Sequence, residues 1–325
     1  MAADHRSRQE LDIQKLAELP SGLVIGSHRR VDFVKIVSKI RNIALTVVSG
    51  ASLVSRELGH RYKKGMMHAK HIIALALGPI FRCSDSELSD ELEDKGLLKV
   101  LGYKSAPDSS IFSKVRKEVG EEKIGRTTEL IIQELYRGRF VSMVAIDSTF
   151  IPYYFERDTD AAWGYVTLKK KEQEILKEKD KKGLKKGYKL HVIYDVDTGI
   201  PLYWIVLPAN MHDKDAFKTL FDYVRTHFRF AHNAKFLADS AYDSRDVRFM
   251  LRENNVIPVI AVNGRGHYKS SKPKDKDYRK RGGIERFFSL LKMKLNLLNV
   301  RVKGIQKVTA HVNSCMLGYL VKYIL

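Results

Sequence analysis

The segment Tyr278 to Lys292, YRKRGGIERFFSLLK, holds four side chains whose types and spacing suit chemistry on a charged substrate. They are Tyr278, Arg281 three positions on, Glu285 four further and Lys292 seven further. From Gly283 onward the apolar residues Ile284, Phe287, Phe288, Leu290 and Leu291 recur at helical steps, so Glu285 is expected in a first helical turn. At about 100° per residue, Lys292 falls two turns later and nearly above it. A helix N-terminus, Arg281 and Lys292 all favour the charged carboxylate. Such a glutamate suits a metal ligand working beside a polyanion. Taken alone, the stretch also reads as an ordinary amphipathic helix with a salt bridge.

Two more acids stand in a repeated setting. The run Val141 to Ile146 (VSMVAI) reads as a buried strand ending on Asp147, and Lys235 to Ala238 (KFLA) as another ending on Asp239. Neighbouring strand ends of an α/β sheet open onto one crevice, so Asp147, Asp239 and Glu285 can converge there. Three converging carboxylates repel unless cations bridge them, and hard oxygen ligands select Mg²⁺ or Mn²⁺. Two such ions about 3.5–4 Å apart serve the in-line displacement of a phosphodiester. Singly, each aspartate also reads as a strand-end cap or turn former. Asp243 is a second candidate in the same loop, but Asp239 ends the strand directly and is preferred.

The composition agrees with a polyanionic partner. Lysine plus arginine exceed aspartate plus glutamate by 58 − 38 = 20 charges, and the pI is near 9.7. Nucleic acid is the simplest such partner. No run approaches the roughly 20 apolar residues of a membrane span, and the longest, Ile72 to Phe81, is broken by Gly78-Pro79. The start MAADHRSRQE has no apolar signal core, so a cytoplasmic protein is expected. Cys83 and Cys315 stand alone and read as buried thiols.

The elements that must carry these residues fall into two parts. Residues 1–138 read as helical, with helices over 8–19, Val31 to Val48 and Met66 to Leu77, then an acidic helical segment within Ser84 to Asp94. Another starts after Ser105-Ala106-Pro107-Asp108-Ser109, with Asp108 or Ser109 as cap and Ile111, Phe112, Val115 and Val119 as its apolar stripe. These last two fit either a helix-turn-helix or a plain bundle. After Arg137-Gly138-Arg139 the pattern becomes strand-rich, so 139–325 reads as an α/β domain. Within it, Tyr188 to Tyr194 and Ile200 to Leu207 flank a hairpin turn at Asp195 to Gly199. Helices are expected over Asp215 to Arg229 and Arg245 to Glu253, and a strand over Val256 to Val262. Lysine-rich Lys169 to Lys189 reads as a solvated loop or hairpin tip, and Asn263 to Lys276 as a basic loop. An apolar helix from Val308 onward is expected to pack on the α/β domain.

The order strand-aspartate, strand-aspartate, helix-glutamate resembles the DDE transposases of the RNase H-like superfamily. The spacing Tyr278, Arg281, Glu285, Lys292 is similar at every position to the Y-(2)-R-(3)-E-(6)-K signature of the insertion-sequence-four family. The likeness runs from about Val141 to the C-terminal end. It implies an RNase H-like mixed β-sheet flanked by helices, with Tyr188 to Leu207 supplying its second and third strands and an α-helical region before it. It implies that Asp147, Asp239 and Glu285 are catalytic and hold two Mg²⁺ ions, which Mn²⁺ can replace, and that Tyr278, Arg281 and Lys292 grip DNA phosphates. The implied reaction is hydrolysis at the ends of a mobile element, exposing a 3′-hydroxyl that attacks target DNA. The implied partner is double-stranded DNA, at element ends and target, bound by a homodimer, with residues 1–138 reading the ends. Some relatives carry a large β-rich insertion between the second aspartate and the glutamate; the 45 residues between Asp239 and Glu285 are too few for it. His212-Asp213, after Asn210, is similar to a recurrent family feature and reads as a helix cap. Trp163 reads as core packing, with stacking on an extruded base as the alternative. Two other functions fit the same acids: a nuclease that cuts without joining, and a catalytically silent DNA-binding descendant.

Overall fold

The computed structural model describes residues 62–165, 183–264 and 271–324, without the side chains of 62–69 and 116–123. The helices expected over 8–19 and Val31 to Val48, most of the lysine-rich segment, and the middle of the basic loop lie outside the described residues. The chain divides into two compact units. The first comprises the described residues through Arg139, Met293–Asn296 and the chain from Ala310; the second comprises Phe140–Lys292 and Leu297–Thr309.

In the first unit, α1 (Tyr62–Phe81) buries Ile72 to Leu77 completely or nearly so. Helices α2 (Leu88–Asp94) and α3 (Leu98–Leu101) follow, and Gly102 ends α3 at φ +85, a left-handed conformation that glycine adopts without steric cost. The expected start signal works through Asp108, whose Oδ1 accepts from the Ser110 N–H at 2.8 Å, and α4 (Ser110–Leu135) begins there. It runs 26 residues, well beyond the apolar stripe that ended at Val119, because Ile124, Ile131 and Ile132 continue the buried face. Helix α8 (Ile305–Tyr319), continued by a π-helical turn over Leu320–Ile324, groups from Ala310 onward with this unit and not with the α/β unit expected from sequence. A Cβ on Gly125 of α4 would come within 2.7 Å of Asn313 on α8, so the two helices meet at close range. No described helix is long and apolar enough to cross a membrane.

The second unit is built on a mixed sheet of β1 (Phe140–Pro152), β2 (Ala162–Tyr165), β3 (Leu184–Asp195), β4 (Pro201–Pro208), β5 (Arg229–Ala238) and β6 (Ile257–Ile260). The spatial order is β4-β3-β1-β5-β6, with β2 beside β4 along the outer edge of β3. β1 runs antiparallel to β3 and parallel to β5, which in turn is parallel to β6. Asp195 accepts from the Asp197 N–H at 2.9 Å and Gly199 sits at φ +78, so the expected hairpin turn forms between β3 and β4. The lysine-rich segment is strand, not loop, from Leu184, where cross-strand pairing with β2 overrides its polarity.

Side-chain alternation assigns the two faces. Val144 pairs with Phe236 and Asp195, and Ala145 with Leu237 and Tyr194, so Phe236 and Tyr194 point to opposite faces. Helix α5 (Asp213–His227) packs Phe217 and Phe221 edge-on against Phe236. Helix α7 (Gly282–Lys294) packs Phe287 against Tyr194, with ring centroids 5.2 Å apart. One helix therefore covers each face, and α6 (Arg245–Glu253) follows between β5 and β6.

Candidate active site

Asp147 lies inside β1 and not at its end, because β1 continues to Pro152 paired with β3. What ends at this level is the partner: pairing of β1 with β5 stops at Ala145↔Leu237, and Asp239 follows the last residue of β5. Both aspartates thus stand at the C-terminal edge of the parallel pair. Asp147 shares a face with Ala145 and Tyr194, the face covered by α7. Its Oδ1 accepts from the Ser148 N–H at 2.8 Å. Asp239 accepts from the Ala241 N–H at 2.9 Å in the one-turn 3₁₀ segment Ser240–Tyr242.

Glu285 is in the first turn of α7, as its spacing predicts, and its side chain is 57% exposed. The preceding 3₁₀ turn Lys276–Arg281 presents Tyr278 and Arg281. That turn is fastened to the sheet: Lys235 of β5 reaches Asp275 at 2.9 Å and Asp277 at 2.7 Å. Arg281 then spans the acids, donating to Asp147 Oδ2 at 2.9 Å and to Glu285 Oε1 at 2.6 Å. Lys292 is half-buried two turns along α7.

The electrostatics are those of crowded acids. Burial pushes the Asp147 carboxyl up to about 6, with Arg281 and the Ser148 N–H opposing and Asp239 adding to the rise. Burial likewise raises Asp239, against the Ala241 N–H and Arg281 and with Asp213 adding. Burial works against the charge of Arg281, but Asp147 and Glu285 outweigh it and hold the guanidinium firmly charged. Burial also raises the Tyr278 hydroxyl, where Arg281 opposes and Asp239 adds. Asp147, Asp239, Glu285, Tyr278 and Arg281 therefore form one cluster. Among the described residues, no three Asp, Glu, His or Cys side chains yet surround a common point at ion-binding distance. The donors nevertheless fit hard divalent cations: they are carboxylate oxygens, their repulsion calls for positive charge, and a guanidinium stands as the cation between two of them.

Asp243, the rival to Asp239, is occupied elsewhere: it accepts from Arg248 Nε and from the Asn263 N–H, both at 2.8 Å. His212 is the N-cap of α5 but makes no side-chain cap bond. Asp213 points instead toward Ser148, Lys189 and His191. This set was hidden in the sequence, because its members belong to three elements and only strand register shows that they share a face. Trp163, expected in the core, is 60% exposed. The two cysteines are free thiols.

The strand order and directions give the mixed sheet flanked by helices that the sequence predicts. The chain belongs to the transposase DDE domain family, whose model matches residues 138–321, more than half of its length. Among solved structures, the piggyBac transposase synaptic complex with hairpin DNA is similar at 11% identity, covering 97% of this chain and 74% of that one, with a TM-score of 0.45. The Mos1 strand transfer complex is similar at 16% identity, covering 75% of this chain and 80% of that one, with a TM-score of 0.24. No curated protein matches the chain.

Proposed function

We propose that the protein is the DNA transposase of an insertion sequence of the insertion-sequence-four family. It would cleave at the element's ends and transfer the exposed 3′-hydroxyl into target DNA. The observation that carries this reading is the pairing of Asp147 and Glu285 on Arg281, with Asp239 near enough to act on both Asp147 and Arg281, within the region that the family model matches. The spacing of Tyr278, Arg281, Glu285 and Lys292 supports the narrower family assignment.

In this reading Asp147, Asp239 and Glu285 hold two Mg²⁺ ions, or Mn²⁺ in their place. Bound ions of this kind activate an attacking oxygen and stabilise a leaving one at a phosphodiester. Tyr278, Arg281 and Lys292 bind phosphates, the guanidinium as a fork and the ammonium as a point charge. The 20 excess positive charges draw double-stranded DNA to the surface. Residues 1–138 would form the end-binding region and 139–325 the catalytic domain, with Met293–Asn296 and the chain from Ala310 grouping structurally with the first unit, and two copies would assemble on DNA to pair the ends.

The test is a cleavage and joining assay on DNA carrying the sequences that flank the gene, with Mg²⁺ or Mn²⁺, for the wild type and Asp239→Asn. Metal-dependent cleavage and joining, lost in the variant while DNA binding persists, is the expected result. Cleavage without joining identifies a nuclease, and binding without cleavage identifies a silent descendant.

A further inference from the structure

Behind Asp147, on the opposite face of the sheet, lies a second polar cluster. Ser148 follows Asp147 and so points to the other face, the one covered by α5. Its register partner His191 and the next residue on that face, Lys189, point the same way. All three converge on Asp213, the first residue of α5: Ser148 Oγ donates to Asp213 Oδ1 at 3.0 Å, Lys189 Nζ donates to it at 3.3 Å, and His191 Nδ1 lies 3.6 Å from it. His191 is fully buried with neither ring nitrogen hydrogen-bonded. The buried Tyr242 hydroxyl neighbours Ser148, and the charges of Asp213, Asp147 and Asp239 reach it. Lys189 and the N-terminal turn of α5 offset the charge of Asp213. Gathering half-buried Ser148 and Lys189 and the fully buried His191 at one carboxylate is more than a helix start needs, since a single serine or asparagine caps it adequately.

The strand layout shows what the cluster accomplishes. β5 leaves β1 at Ala145, so at Asp147 and Ser148 the strand is paired on one side only, by β3. The Ser148 N–H is the backbone donor to Asp147 Oδ1, and the Ser148 hydroxyl is tied down by Asp213. We propose that Asp213 is a positioning residue for the candidate active site: through Ser148 it fixes the Asp147 carboxylate in the orientation that receives a divalent cation. The inference rests on the reading of Asp147 as an ion ligand. Groups one step behind a ligand commonly set its orientation, and their loss costs about 10- to 100-fold in metal affinity.

The experiment is Mn²⁺ titration of the full-length protein without DNA, followed by electron paramagnetic resonance, with the melting temperature of each variant recorded. Asp213→Ala and Ser148→Ala should each weaken Mn²⁺ binding by about 10- to 100-fold. The double variant should be no weaker than the worse single one, since both cut the same link. Asp213→Asn should retain most of the affinity, because its amide oxygen still accepts from Ser148. Wild-type affinity in Ser148→Ala, or multiplied losses in the double variant, overturns the proposal, as does a fall in melting temperature with Mn²⁺ affinity intact. Ser148→Ala decides the matter even where Asp213→Ala fails to fold. Asp147→Asn separates the two levels: if it leaves Mn²⁺ binding unchanged, the ion-site reading itself falls and takes this proposal with it. Loss in Asp147→Asn with retention in Ser148→Ala removes only the role of Asp213.

Discussion

Arg281 and Asp147 are held 2.9 Å apart by a charge-assisted hydrogen bond, and the second arm of the same guanidinium reaches Glu285 at 2.6 Å. One cation therefore neutralises two of the three residues that would hold divalent ions. The proposed phosphate contacts of Arg281 compete with these bonds, so DNA and metal should be loaded together. Arg281→Gln should bind Mn²⁺ about tenfold more tightly than wild type without DNA, as expected for removing a charge-assisted bond, and bind end DNA less well. Arg281→Lys should fall between, because an ammonium cannot fork. Mn²⁺ titration beside a DNA mobility-shift assay checks both parts; weaker Mn²⁺ binding in Arg281→Gln would show that the arginine supports the ion site.

The elevated Asp147 carboxyl makes stability depend on pH. An acid at about 6 in the fold and 3.8 unfolded binds its proton more tightly when folded. Its contribution is therefore greatest below the unfolded value and is lost as pH rises through about 6, a cost on the order of 2–3 kcal/mol for this shift. His191 acts in the opposite sense. Burial depresses it to about 4, with Asp213 only partly opposing, so its contribution is present above 6.5 and lost as pH falls through 4. Asp147→Asn should melt above wild type at pH 7, and the gap should close by pH 4. A gap that is the same at both pH values would show that Asp147 carries no such penalty.

Much of this arrangement is legible in the sequence because it rests on local pattern. The 3.6-residue period places Glu285 in the first turn of α7, and the apolar runs before Asp147 and Asp239 are strands β1 and β5. What local pattern cannot supply is register. Ile151 and Pro152 extend β1 because β3 pairs with them, so Asp147 is interior to its strand. The convergence of Ser148, Lys189 and His191 on Asp213 depends on the same pairing. The grouping of α8 from Ala310 with the first unit follows from a close approach at Gly125, invisible to any window of sequence.

The exposure of Trp163 has a cause in its neighbour. A Cβ on Gly164 would overlap the Ala209 carbonyl and come within 2.8 Å of the Ala209 Cβ, so the backbone of β2 lies flat against that chain. Trp163 and Tyr165 then point away, 60% and 71% exposed. Gly164→Ala should cost about 1–3 kcal/mol in denaturant unfolding, as overpacking does. Trp163→Ala should change stability by no more than about 0.5 kcal/mol. If its ring stacks on an unpaired base, the same variant should weaken binding to DNA with unpaired bases by about 1–3 kcal/mol. Unchanged affinity there would leave the tryptophan without a role at DNA.

Lys235 holds the turn that delivers Tyr278 and Arg281. Its ammonium donates to both Asp275 and Asp277, and those hydrogen bonds hold both carboxyls below the usual range. Asp275 in turn accepts from the Asp277 N–H at 2.8 Å, so one lysine on β5 organises the whole start of the 3₁₀ segment. Lys235→Met keeps the aliphatic stem and removes the clamp. The sheet beneath does not depend on the charge, so the melting temperature should barely move. The turn, freed from β5, should present Arg281 less accurately to Asp147 and Glu285, and misplacement by about 1 Å is enough for a 10²-fold loss of rate. Single-turnover cleavage should therefore slow by about 10- to 100-fold while overall DNA affinity changes little. A variant that cleaves at the wild-type rate would mean that α7 alone, through Phe287 on Tyr194, positions the glutamate and the arginine.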